Sequence, residues 1–94
     1  MLIVMATIQA QPAHADALAE LLAELAVASR AEPGCSAYRV LRSSQDRAVF
    51  STFEEWANAA AEAQHMVSGH VAEAFRKAGP LLAAAPEIRR FEEV

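Results

Sequence analysis

The chain opens on a run, Leu2 to Gln9, that is almost continuously apolar and is stopped by Gln11-Pro12. Such a run predicts a central strand buried on both faces. From Ala13 to Arg30 the period changes. Leu18, Leu21, Leu22, Leu25 and Ser29 recur at helical spacing, while Asp16, Glu20 and Glu24 form an acidic ridge on another face. An amphipathic helix is predicted there. It ends at Glu32-Pro33-Gly34, where proline cannot continue a helix and glycine can take the positive φ that a reversal needs.

Cys35 to Arg42 reads as a strand, Ser43-Ser44-Gln45-Asp46 supplies polar turn chemistry, and Arg47 to Phe53 or Glu54 reads as the returning strand of a hairpin. Trp56 to Gln64 is Ala-rich and helical in propensity. Ser68-Gly69 interrupts that helix, Val71 to Ala78 resumes it, and Gly79-Pro80 ends it. Leu81 to Ala85 is an apolar connector, and Glu87 to Val94 reads as a final strand. The order strand, helix, strand, strand, helix, strand is the split βαβ pattern of an α+β, ferredoxin-like βαββαβ fold with an antiparallel four-stranded sheet. On the hairpin, Tyr38, Val40, Phe50 and Phe53 are set against Ala37, Leu41 and Val49, so both sheet faces carry apolar groups. Helices on one face leave the other bare, which predicts a homodimer of face-to-face sheets.

Composition points the same way. Ninety-four residues make one domain, and a chain this small buries roughly sixty per cent of its unfolded surface. Hydrophobic residues are 54% of it and only three residues are glycine, more apolar side chain than a lone small domain hides easily. Twelve acidic residues against eight basic ones give a formal charge of −4. Seven of the eight basic residues, Arg39, Arg42 and Arg47, then Arg76, Lys77, Arg89 and Arg90, fall in two groups that are not interleaved with aromatics, so nucleic acid is not the expected partner. Cys35 is the single cysteine, which rules out an internal disulfide and a thiol-rich metal site and fits a reducing cytoplasm. It reads as a small buried apolar residue. The opening MLIVMA has no basic leader and is far too short to span a bilayer, so it is taken as a strand and no membrane partner is expected.

The groups able to bind or move protons gather between Phe53 and Phe75, where Trp56, His65 and His70 fall around one broken helical segment. Trp56 has two readings: a flat wall for an aromatic ligand with its N–H as a donor, or a cap that seals the helix onto the sheet. His65, beside Met66 and Val67, is the best base in the chain if it faces the sheet; otherwise it bonds a backbone carbonyl at the helix break. His70 belongs to the first turn of the next helix. The two histidines are five apart across a break, not at helical i,i+4 spacing, and no third ligand stands near them in sequence, so no metal is expected. Glu54 and Glu55 are adjacent in a strand and point to opposite faces, so they cannot share a proton, and one of them is read as a hydrogen-bond acceptor within the dimer. Tyr38 faces either the pocket or the dimer seam. Arg76 is a counter-charge at the pocket mouth or an exposed partner of Glu73 or Glu62.

The succession of Gln11-Pro12, the turn Glu32-Pro33-Gly34-Cys35 followed by Tyr38, Phe53-Glu54-Glu55-Trp56, His65 with Ser68 and His70, Phe75, Gly79-Pro80-Leu81-Leu82 and Pro86-Glu87-Ile88-Arg89-Arg90-Phe91 covers essentially the whole chain. In that order it resembles the antibiotic biosynthesis monooxygenase family, small dimeric α/β barrel proteins that include quinol monooxygenases. The resemblance implies a cofactor-free oxygenase that binds a small phenol or hydroquinone between sheet and helices, deprotonates it and lets it react with dioxygen. The sequence has no Gly-rich dinucleotide fingerprint, in agreement with that. His65 and Trp56 are the implied catalytic pair, with Tyr38, Thr52, His70 and Arg76 around the substrate. Two departures stand out. Haem-degrading relatives carry an Asn on the first strand, where this chain reads Met5-Ala6-Thr7-Ile8; polyketide-oxidising relatives carry an Asn four residues before the strand-end Trp, where this chain has Thr52. The alternative is a non-catalytic dimeric binding or stress-response module of the same fold that holds a small hydrophobic ligand. An open cavity bordered by Trp56 and His65 favours the enzyme, and a closed core favours the module.

Overall fold

A computed structural model describes residues 1–94. Four strands, β1 (Leu2–Gln9), β2 (Cys35–Arg42), β3 (Val49–Trp56) and β4 (Glu87–Phe91), alternate with three helices, α1 (Ala15–Arg30), α2 (Ala59–Met66) and α3 (Gly69–Ala78). They form one antiparallel sheet in the order β2-β3-β1-β4. β3 lies between β1 and β2, the split βαβ arrangement that the element order predicts, and β1 is a central strand.

Burial in β1 alternates. Val4, Ala6 and Ile8 are buried, while Met5, Thr7 and Gln9 are exposed. The expectation of a strand buried on both faces is therefore corrected for the single chain: the helices cover one face only, so the continuous apolar run spends half its side chains on an open surface. β3 alternates in the same way, with Phe50, Thr52, Glu54 and Trp56 buried. Phe53 is three residues from Phe50 and takes the opposite face, with Val49, so the grouping of the two phenylalanines on one side fails on the period of two. The outer face presents Met5, Leu41 and Phe91 at 36%, 39% and 45% exposure.

Trp56 closes β3 and does not begin a helix. Its backbone pairs with Leu2 on one side and Cys35 on the other, and α2 starts only at Ala59, where the Asn58 side chain accepts the Ala61 N–H at 2.9 Å. The second break falls where sequence places it. Ser68 caps α3, its hydroxyl accepting the Val71 N–H and donating to the His65 carbonyl at 2.7 Å. β4 is shorter than predicted, ending at Phe91. Arg90 ties it to α2 by a two-pronged contact with Glu62 at 2.8 and 3.1 Å. The core packs Ala6, Ile8 and Phe50 against Leu18, Leu22 and Ala78, with Val4, Ala26, Tyr38 and Trp56 as a second cluster. No helix is long and apolar enough to cross a membrane.

Candidate active site

Between the inner sheet face and the helices lies a cavity of about 70 Å³, and 15 of its 19 lining residues are hydrophobic. At 10–15 Å³ per water centre, that is room on the order of five waters, the scale of one small ring. The polar groups reaching it are Tyr38, Thr52, Glu54 and His65.

The sheet side of the site is built by β3. Thr52, Glu54 and Trp56 stand at i, i+2 and i+4 and so share one face. Register pairs Val4 with Glu54 and Thr7 with Ser51; between them the Ala6 N–H donates to the Thr52 hydroxyl at 3.0 Å. That hydroxyl donates in turn to Glu54 Oε2 at 2.7 Å, and Trp56 Nε1–H donates to Glu54 Oε1 at 3.0 Å. Both carboxylate oxygens are thus held at a site only 4% exposed. Burial raises the Glu54 pKa above the usual carboxylate range, against the opposing pull of the Thr52 and Trp56 hydrogen bonds. Burial likewise pushes the Tyr38 phenol up, with the nearby Glu54 charge adding to it.

The helical side depends on the turn after α1. Gly34 has φ 83°, and its carbonyl accepts the Ala57 N–H at 2.7 Å. A Cβ on Gly34 would stand 2.7 Å from Ala61 Cβ, so only glycine lets the turn press onto the start of α2. That approach brings Glu32 beneath the α2–α3 break. Glu32 Oε2 lies 2.6 Å from His65 Nδ1 and 3.0 Å from His70 Nε2. A carboxylate only accepts, so Nδ1 of a neutral His65 carries the hydrogen and Nε2 keeps its lone pair. Ser29 Oγ is the only buried side-chain polar atom without a partner. Nε2 of His65 makes no hydrogen bond in the chain and is not such an atom, so it borders open space, and His65 lines the cavity. The imidazole is stacked at a tilt on Trp56, centroids 4.7 Å apart, with Tyr38 at 5.6 Å.

The structure thus gathers His65, Tyr38 and Thr52 at the cavity. His65 is bonded through its ring to Glu32, not to a backbone carbonyl. Trp56 is fully buried and backs His65 and Glu54 without lining the cavity. His70 stands outside that cavity, on a second groove between α1 and α3. Arg76 is exposed, pairs with Glu73 and lines neither space. Glu54 serves its own chain's Thr52 and Trp56; Glu55 takes the other face, as adjacency in a strand requires. Two site residues were missed in sequence. Glu54 was within reach, since a period of two puts it between Thr52 and Trp56. Glu32 was not, because only the chain reversal sets it beside histidines more than thirty residues away, and it supplies the third ligand group whose absence argued against a metal.

Fold and site together define a ferredoxin-like α+β domain with an apolar cavity edged by a carboxylate-held imidazole. Its relatives sharpen that. The chain is similar to a Pseudomonas aeruginosa protein of solved structure, with 33% identity, TM-score 0.93, and 99% of this chain and 93% of that one covered. It is also similar to an antibiotic biosynthesis monooxygenase, at 26% identity and TM-score 0.94 over 100% of this chain and 99% of that one. A Mycobacterium tuberculosis protein matches at 25% identity and TM-score 0.92, covering 99% and 94%. The family model for antibiotic biosynthesis monooxygenase matches residues 1–77, and the chain belongs to that family. No curated protein matches the sequence.

Proposed function

We propose that the protein is a cofactor-independent monooxygenase that oxidises a small phenolic or quinol-like aromatic with dioxygen. One observation carries the reading: His65 is buried in the wall of an apolar cavity, its Nδ1 fixed by Glu32 at 2.6 Å and its Nε2 unpartnered. Nε2 accepts the phenolic proton, and the Glu32 carboxylate stabilises the imidazolium that forms. The phenolate left in a dry site supplies electrons to dioxygen. One oxygen atom enters the ring to give a quinone, and the other leaves as water with the two hydrogens lost from the substrate's O–H and C–H. Tyr38 offers its hydroxyl to the ligand from the sheet, Thr52 lines the cavity with its one hydroxyl hydrogen committed to Glu54, and Trp56 holds His65 and Glu54 in place from behind. His70 and Arg76 have no contact with this cavity and are left outside the chemistry. The volume of about 70 Å³ suits one ring and is far too small for a haem or a flavin.

We also infer that a second copy covers the outer sheet face, where Ile3 pairs with Phe91 and Glu55, and Phe53 with Arg39, around exposed Met5 and Leu41. Phe53→Glu should convert a dimer to a monomer in light scattering. A reducing compartment such as the cytoplasm suits the free Cys35.

Dioxygen uptake with a panel of hydroquinones and naphthols tests the chemistry. The parent should consume dioxygen and His65→Ala, checked for native circular dichroism, should not; Glu32→Gln should retain a reduced rate with the pH profile displaced. Unchanged uptake in His65→Ala removes His65 from the mechanism. Ligand binding by the parent without uptake would establish the non-catalytic module instead.

A further inference from the structure

We propose that Glu32, His65 and His70 form a binding site for a divalent transition-metal ion. The three side chains come from three places in the chain, the turn after α1, the end of α2 and the first turn of α3. Their donor atoms converge. Glu32 Oε2, His65 Nδ1 and His70 Nε2 all lie within 4.8 Å of one another, and two of the separations are 2.6 and 3.0 Å. An ion with bonds of about 2.0–2.2 Å sets neighbouring ligand atoms about 3.0–3.5 Å apart, so the carboxylate backs away by a fraction of an ångström and the rings close in.

Two imidazoles and one carboxylate are the donor set of Zn²⁺, Fe²⁺ and Co²⁺ sites, and nitrogen donors disfavour Mg²⁺ and Ca²⁺. Burial is graded in a way that fits such a site: the His65 side chain is 4% exposed, Glu32 14% and His70 31%. The ion would rest on the buried ring and keep water on the His70 side. An entry path is present, because His70 also lines a groove of about 140 Å³ together with Glu24, Glu73 and Lys77. Binding needs no net proton loss from neutral rings. The hydrogen on His65 moves from Nδ1 to Nε2 and that on His70 from Nε2 to Nδ1, through solvent, turning a lone pair of each toward the ion.

The site shares His65 and Glu32 with the oxygenation proposed above and bears on it in one respect. A metal-bound His65 carries its hydrogen on Nε2 and cannot take the phenolic proton, so loading would switch that base off.

The test is direct binding to untagged protein without substrate. Calorimetric titration with Zn²⁺ should give one ion per chain, and Co²⁺ should give visible absorption bands of a site holding nitrogen donors. His70→Ala and Glu32→Gln should each lose at least tenfold in Zn²⁺ affinity, and His14→Ala, at an exposed histidine remote in sequence, should match the parent. Zn²⁺ should raise the melting temperature of the parent and not of His70→Ala. No heat with the parent, or equal affinity in His70→Ala and the parent, overturns the proposal. Neither result depends on turnover, so its failure leaves the oxygenase reading untouched.

Discussion

Thr52→Val removes one hydroxyl and almost no volume, which isolates the polar seam under the cavity. The Thr52 hydroxyl accepts the Ala6 N–H at 3.0 Å and donates to Glu54 Oε2 at 2.7 Å. Valine leaves the buried Ala6 N–H without a partner, at a cost of about 1–3 kcal/mol, and deletes a charge-assisted bond worth about 1.5–3 kcal/mol. The added methyl returns about 0.8 kcal/mol of burial. The net loss at neutral pH should be about 2–4 kcal/mol, since both bonds share one group and do not add fully. The loss should also depend on pH. Burial holds the folded pKa of Glu54 above its ordinary value. Folded protein therefore keeps a proton that the unfolded chain releases, and Glu54 lowers stability progressively as pH rises from the ordinary carboxylate pKa through the folded one. Below that window Glu54 is neutral and its bond to Thr52 is worth about 0.5–1.5 kcal/mol, so the penalty of Thr52→Val should shrink by about 1 kcal/mol. Urea unfolding of parent and variant across acid to neutral pH, at one protein concentration, measures this. A loss under about 1 kcal/mol at neutral pH, or a penalty that does not change with pH, would refute the shared-hydroxyl account.

Gly34→Ala should cost about 1–3 kcal/mol from the left-handed backbone alone, with more from the 2.7 Å approach to Ala61 Cβ; thermal unfolding reads the stability, and withdrawal of Glu32 should appear as a shifted His65 ring signal in NMR. Arg90→Ala strips both contacts from the nearly buried Glu62 and unties β4 from α2. It should cost about 1–3 kcal/mol, below the full penalty of breaking a buried pair because Arg90 is half in solvent, and amide exchange should quicken first in β4. The Cys35 thiol has its pKa raised by burial, with Glu32 and Glu54 adding to the shift; an aromatic disulfide reagent should react with it more slowly at neutral pH than with a free cysteine peptide, and faster as pH rises.

Much of the fold was legible because its signals are local. Proline at Pro12 and Pro33, the Leu18 to Ser29 periodicity and the Ser68 interruption act on the residues beside them, so element order followed, and from it the split βαβ topology. Boundaries erred where tertiary contact overrides propensity. The Ala-rich run after Trp56 favours a helix, but pairing with Leu2 and Cys35 holds Trp56 in β3, and the helix waits for the Asn58 cap. His65 and Thr52 were legible as cavity residues through pattern and resemblance, and Glu54 could have been found by alternation.

What sequence determined by itself was the set of pieces: an apolar strand, an amphipathic helix, a hairpin, and a broken helix carrying two histidines. Only tertiary structure decided how their chemistry combines. Trp56 became the support behind the imidazole, Arg76 a solvent ion pair, and the two histidines acquired Glu32 as a common partner. The reason is physical: periodicity fixes which face a residue takes on its own element, whereas Glu32 meets His65 and His70 because a glycine at φ 83° lets one turn press against another element. That contact is a property of the packed chain, and no spacing along the sequence encodes it.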